Sequence, residues 1–198
     1  MIRFATLEDD WMRLAKLVYE TDNIIPFIFG KKDKALPQIK TLIEREDNSF
    51  SYKNILVFED ENKTIKGILV AYLPQQKNRK KEQEDYSQVF SVLELIILWL
   101  KSLLLKSIEN KSEIDGLYIQ NISVDAIARG EGIGTQLMNY IEKWAVQQSC
   151  TSLWLDVAFD NSKAKKLYER QGFSEVSEHK ILFSKNGFFR MRKSMINK

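Results

Sequence analysis

Apolar positions along the chain follow two periods. Residues 2–5 form a short apolar run that predicts a strand. Trp11, Leu14, Ala15 and Val18 then recur at three- and four-residue steps, the spacing that lines side chains along one face of a helix. Thr6 is read as its N-cap, with Glu8, Asp9 and Asp10 in the first turn, where acids suit the helix dipole. Residues 21–34 hold Pro26, Gly30, Phe27 and Phe29 and read as a loop rich in large apolar side chains; 36–46 predicts a second, weaker helix. Two runs of Ile, Leu, Val and Phe, 54–59 and 63–73, flank a short polar break and predict a β-hairpin. Residues 74–85 are polar and read as a loop. Residues 86–108 follow as one long helix, with Ser87, Ser91, Glu94 and Lys101 as its narrow polar stripe and an apolar face wider than a surface helix needs.

The second half alternates more regularly. Residues 113–124 predict a strand, 125–129 a turn, and 130–149 a helix with Ile133, Leu137, Ile141 and Trp144 in line. In 151–158, Leu153, Leu155 and Val157 fall on one side and Trp154 on the other, so this strand belongs inside a sheet. Residues 161–171 predict a short helix stopped by Gly172. Residues 173–183 and 188–195 predict a closing hairpin around Asn186-Gly187. No repeat or low-complexity linker divides the chain, so 1–198 is expected to be a single domain, with a helical insertion at about 75–111.

Composition narrows the partners. Hydrophobic residues make up 44% and charged residues 29%, which suits a globular chain rather than a disordered one. The 30 basic and 27 acidic side chains leave a net charge of only +3, dispersed and without aromatic-basic interleaving, so no nucleic-acid partner is expected. The apolar stretch 92–105 is interrupted by Glu94 and Lys101 and falls short of the roughly 20 residues of a spanning helix, so no membrane partner is expected. The first residues lack an apolar leader core, which points to the cytoplasm. The single Cys excludes an internal disulfide, and with a single His it is too little for a zinc site, so no metal is assigned. His179 is expected on a late strand, facing solvent.

Candidate chemistry begins at Arg129-Gly130-Glu131-Gly132-Ile133-Gly134-Thr135, between a strand and a helix. A helix start leaves main-chain N–H groups unpaired, glycines let a phosphate approach them, and Arg129 adds a mobile cation. The segment suits a pyrophosphate. It lacks the G-x-G-x-x-G spacing of dinucleotide sites and the Lys of the nucleotide P-loop. Taken alone, it has a second, less favoured reading as a glycine-rich turn that binds nothing.

A second segment, Asn161-Ser162-Lys163-Ala164-Lys165-Lys166-Leu167-Tyr168-Glu169-Arg170-Gln171-Gly172-Phe173, follows the next strand. Together the two resemble the GNAT superfamily of acyl-CoA-dependent N-acyltransferases. Arg129, Gly132 and Gly134 match that family's Arg/Gln-x-x-Gly-x-Gly/Ala motif. Asn161, Ala164, Leu167, Tyr168, Gly172 and Phe173 match its Asn-x-x-Ala-x-x-Leu-Tyr-x-x-x-Gly-Phe motif.

The resemblance implies an α/β fold: a mixed, mostly antiparallel twisted sheet of about seven strands with helices on both faces. The strands beginning near 113 and 151 would run parallel and splay apart at their C-terminal ends. It implies an N-acetyltransferase that moves acetyl from acetyl-CoA to a primary amine of a small molecule or peptide by direct transfer. A second reading is an acyl-CoA-binding sensor or scaffold without turnover. By the same resemblance, main-chain groups of Ile122, Ser123 and Val124 pair with the pantetheine arm, and one of their N–H groups polarises the thioester carbonyl. The amides of Gly130, Glu131, Gly132, Ile133, Gly134 and Thr135 hold the pyrophosphate. Asn161, with Ala164 beside it, meets pantetheine, and Tyr168 protonates the departing thiolate, its phenol titrating near about 10 when unperturbed. Without its flanking motif Tyr168 would read as a core aromatic.

The base and the acceptor site are less defined. Where some relatives carry a strand Glu, this chain has Tyr118 or a neighbour. Glu113, Asp115 and Asp156 read as ordinary solvated or capping carboxylates. Asp22, Asn23, Phe27 and Phe29 read either as a seat for a cationic amine or as an apolar plug. Lys163, Lys165 and Lys166 read as a solvated helix face. The helix at 86–108 departs from the family pattern and is expected to be a homodimer contact or a pocket lid.

Overall fold

The computed structural model describes residues 1–105, 114–182 and 184–195. Seven strands form one sheet: β1 (Ile2–Phe4), β2 (Ile55–Glu59), β3 (Ile65–Tyr72), β4 (Leu117–Val124), β5 (Ser152–Ala158), β6 (Ser174–Lys180) and β7 (Gly187–Ser194). Their order is β1-β2-β3-β4-β5-β7-β6. Neighbours run antiparallel except β4 and β5, which run parallel. This is the mixed, mostly antiparallel sheet that the sequence resemblance implies.

Strand alternation sorts the apolar side chains into two cores. Ile55, Val57, Ile68 and Val70 pack beneath α1 (Trp11–Tyr19), α2 (Ile24–Phe29) and α3 (Lys32–Glu44). Leu56, Leu69, Leu153 and Leu155 pack on the opposite face, with Leu137 and Ile141 of α6 (Ile133–Gln147) and Tyr168 of α7 (Ser162–Arg170). Between β3 and β4 lie α4 (Arg79–Val89) and α5 (Val92–Leu104). Among the described residues, no helix is long and apolar enough to cross a membrane.

The parallel pair opens the sheet. β4 and β5 pair only from Leu117↔Leu153 to Ile119↔Leu155. Beyond that point β4 continues along β3 while β5 continues along β7. A bulge sharpens the parting: Val70 faces Asn121 and Ala71 faces Ile119, so Gln120 is the extra residue. A bulged strand bends and twists locally, which turns its far end away from a neighbour.

Several local expectations are corrected. The helix expected at 86–108 is two helices within the described residues, and the loop expected at 74–85 holds most of the first. Ser91 breaks them: its hydroxyl accepts from the Glu94 N–H, and the Glu94 carboxylate accepts from the Ser91 N–H at 2.8 Å, a capping box that starts a new helix. Residues 106–108, like Glu113, lie outside the described residues. The cap of α1 is Asp10, whose carboxylate accepts from the Arg13 N–H at 3.0 Å, rather than Thr6. The segment 21–34 contains α2 and the start of α3. The β6–β7 hairpin forms, but Gly187 is already in β7. A side chain there would collide with the Phe159 ring and the His179 carbonyl, both at 2.5 Å, so close packing rather than turn geometry demands this glycine.

Candidate active site

The glycine segment is built by backbone geometry. After the short turn Ala126–Ala128, Gly130 and Gly132 take φ of +92° and +75°, the left-handed region that glycine enters without a Cβ penalty. A Cβ added at either would meet nothing within 4 Å. Conformation is what requires glycine here, and the space in front stays open. Gly132 caps α6, and the first helical bond runs from the Gln136 N–H to the Gly132 carbonyl at 3.0 Å. The N–H groups of Ile133, Gly134 and Thr135 therefore lack an intrahelical acceptor and carry the positive end of the helix dipole. Arg129 is exposed, and its Nε donates to the Val124 carbonyl at 3.2 Å. Glu131 is exposed beside it.

The helix start rests on the free end of β4. A Cβ on Gly134 would lie 3.9 Å from Val124 Cγ2 and 4.0 Å from Ile122 Cδ1. Ile122, Ser123 and Val124 pair with β3 on one side. On the other side β5 has already parted from them, which leaves one main-chain edge open. Ala164, Ile122 and Val124 pack onto the core cluster that contains Ile133 and Tyr168. The fold thus gathers β4, α6 and α7 residues that lie up to 46 positions apart in sequence at the mouth of the split sheet.

Tyr168 is a buried core aromatic of α7. Its ring meets Phe173 edge-on, 6.1 Å between centroids. Burial, aided by the charge of Asp22, pushes its phenol well above the usual range, so it stays protonated. Asn161 caps α7: its side-chain carbonyl accepts from the Ala164 N–H at 3.2 Å, leaving its amide N–H groups for another partner.

On the other side of the split lies a cleft of about 830 Å³. Tyr72, Tyr118, Gln120, Asn121 and Asp156 line it from the sheet, and Asp22 from the α1–α2 connection. Helices α4 and α5 border it with Glu82, Tyr86, Trp99 and Lys101, so these two helices form one wall. The same α5 also leaves Leu93, Ile96 and Leu100 exposed.

The solvated reading of Asp156 is corrected. Its side chain is only 5% exposed, and it accepts from Arg190 through Nε at 2.9 Å and Nη2 at 3.1 Å. Tyr118 donates its hydroxyl to the same carboxylate at 3.0 Å. Burial, then the Asp156 charge, raises the Tyr118 phenol, which therefore stays protonated. Asp115 keeps a structural role, bound to Trp154 at 2.9 Å and Arg192 at 3.0 Å. Phe29 belongs to the apolar core beside Phe50, at 5.7 Å, while Phe27 is exposed. His179 is half-buried with the Ser177 hydroxyl at 2.9 Å, not simply solvated. Lys165 pairs with Glu175 at 2.7 Å; Lys163 and Lys166 are exposed.

Residues 102–173 match the family model described as the acetyltransferase (GNAT) family. Over 69 residues the chain is 39% identical to an uncharacterized N-acetyltransferase, YobR, of Bacillus subtilis (strain 168), covering 34% of this chain and 28% of that protein. Also over 69 residues it is 35% identical to an aminoglycoside N(6')-acetyltransferase type 1 of Acinetobacter baumannii, covering 35% of this chain and 47% of that one. These alignments span less than half of either relative. The fold match is broader. An N-acetyltransferase structure from Staphylococcus aureus Mu50 superposes with a TM-score of 0.74 at 25% identity, over 97% of this chain and 99% of that one. A structure described as an acetyltransferase superposes at 0.65 with 27% identity, over 99% and 100%. Motif segment and whole-chain topology agree: residues 102–173 carry the match to the acetyltransferase (GNAT) family, and the chain as a whole has the fold of solved acetyltransferases.

Proposed function

We propose that this protein is an acetyl-CoA-dependent N-acetyltransferase that passes acetyl directly to a primary amine of a small molecule or peptide. The observation that carries the reading is the set of free amides behind Gly132, placed beside the open edge of β4 and within one packed cluster with Tyr168.

On this reading the donor's pyrophosphate rests on the amides from Gly130 to Thr135, with Arg129 closing on it. The open edge of Ile122, Ser123 and Val124 takes the pantetheine arm as an added strand, and one N–H there polarises the thioester carbonyl. Asn161 donates its amide to the arm, and Ala164 is small enough to let it pass. The acceptor enters from the cleft on the far side of the split. Its nitrogen attacks the carbonyl carbon, the C–S bond breaks, and Tyr168 protonates the sulfur. The row Leu93, Ile96 and Leu100 on α5 would seat a second copy of the chain; a mass of one chain by light scattering at micromolar concentration removes that homodimer.

The test is calorimetry with coenzyme A and acetyl-CoA, followed by thiol release against a panel of amines. Binding with turnover is expected, and Tyr168→Phe should lose roughly 100-fold or more in kcat, the usual contribution of a positioned acid, with acetyl-CoA affinity unchanged. Binding without turnover on any amine would favour the sensor reading, and no binding would end the proposal.

A further inference from the structure

Three carboxylates line the cleft: Asp22, Glu82 and Asp156. Two are neutralised. Glu82 pairs with Lys77 at 2.7 Å, and Asp156 is clamped by Arg190. Asp22 is different. Its Oδ1 accepts from the main-chain N–H groups of Ile24, at 2.8 Å, and Ile25, at 3.2 Å, and among the described residues it forms no ion pair with a cationic side chain. Of the described cations that line the cleft, Lys77, Arg79 and Lys101, none forms an ion pair with Asp22. Lys77 is held by Glu82, Lys101 donates to the Ile28 carbonyl at 3.0 Å, and Arg79 lines the cleft from the first turn of α4.

We propose that Asp22 receives the acceptor: its carboxylate pairs with the ammonium of a cationic primary amine in the cleft and takes the proton that the ammonium must lose before its nitrogen can attack. The role rests on the acyltransferase reading, but the ammonium pairing is measurable without it. A partly buried carboxylate without a cation is unsatisfied in charge, and a substrate ammonium completes it. Burial outweighs the two amide hydrogen bonds and raises the Asp22 carboxyl above its ordinary value, which makes it a better proton acceptor. The Asp22 charge adds to burial in raising the Tyr168 phenol. The amides of Ile24 and Ile25 fix its orientation, and Thr21 Oγ1, bonded to the Val18 carbonyl at 2.8 Å, anchors the turn that presents it.

The protons balance. Asp22 takes one proton from the ammonium, and the freed amine forms the C–N bond. The C–S bond breaks, and Tyr168 gives its proton to the sulfur. The remaining surplus proton on the new amide nitrogen restores Tyr168, and Asp22 releases its proton to water. The products are the N-acetyl amine, coenzyme A and one proton.

Asp22→Asn separates charge from shape, because the asparagine carbonyl still accepts from Ile24 and Ile25. The probes are 1,6-diaminohexane and its neutral isostere 1,6-hexanediol, with binding read by calorimetry. The wild type should bind the diamine at least tenfold more tightly than the diol. Asp22→Asn should erase that preference, and Asp22→Glu should restore part of it. If the diamine is acetylated, kcat/KM should fall about 100-fold in Asp22→Asn, in line with loss of a general base. Equal binding of diamine and diol by the wild type overturns the proposal, even if the variants fail to fold. So does an Asp22→Asn protein that binds the diamine within threefold of the wild type. Acetyl-CoA binding is measured in parallel. Its absence would defeat the acyltransferase reading, while the diamine–diol comparison would still decide the ammonium pairing.

Discussion

Gly132 holds φ at +75° with open space where a Cβ would stand, so its substitution separates two effects. Gly132→Ala meets no protein atom, and its cost is the left-handed backbone alone, about 1–2 kcal/mol. In a chain of this size that is a fall of roughly 2–8 °C in Tm. Acetyl-CoA affinity should drop further, by tenfold or more, because the methyl projects into the space that a phosphate would occupy. Thermal unfolding and calorimetry on the same sample check both. Arg190 shows the opposite case, a residue whose work is structural: it is fully buried and makes two bonds to the buried Asp156. Arg190→Met should cost about 3–5 kcal/mol, the usual penalty for removing one side of a buried ion pair, measured as a lower urea midpoint.

The α4–α5 break sets the cleft wall at the scale of elements. Glu94 closes the capping box with Ser91 and also reaches α3, to Lys34 at 2.7 Å and Gln38 at 3.0 Å. Lys34, then Ser91, hold its carboxyl down to about 2, so the box stays charged through the physiological range. Ser91→Ala should cost about 1 kcal/mol, the usual worth of an N-cap, and should show first as faster amide exchange in the opening turn of α5. Unchanged exchange there would mean that packing alone starts the helix. The Ser-x-x-Glu signature was readable in the sequence. In the sequence alone it reads as part of a polar stripe, because the residues on either side continue a helical period without Gly or Pro to interrupt it. The bulge at Gln120 had no such signature, since it consists of a register between two strands.

Two ion pairs bind the molecule's parts together and contribute to its response to acid. Arg3 of β1 pairs with Asp9, and Arg13 of α1 pairs with Asp125 at the end of β4. Arg3 holds the Asp9 carboxyl, and Arg13 the Asp125 carboxyl, below the ordinary value of 3.8. Folded values lower than unfolded ones mean stability that is fully present above the ordinary carboxylate range. It is lost as pH falls through the depressed folded values. Thermal unfolding between pH 6 and about 2.5 should therefore show Tm falling mainly below about pH 4, with a shallower fall in Asp125→Asn. A Tm that is flat across that range would show that these pairs do not couple to folding.

The amino-acid sequence by itself determined the strands and most helices, the glycine segment and the Asn161–Phe173 motif. Each is written in neighbouring residues, through periodicity, backbone permissiveness and short spacing. Only the tertiary structure decided which charges are compensated. Asp156 meets Arg190 across 34 positions and Tyr118 across 38, while Asp22 pairs with no cation among the described residues. It also decided that β4 and β5 part after three pairs, which places the open edge on one side and the cleft on the other. The reason is physical: local preference depends on a residue and its neighbours, whereas desolvation and charge pairing depend on what the folded chain brings within a few ångströms.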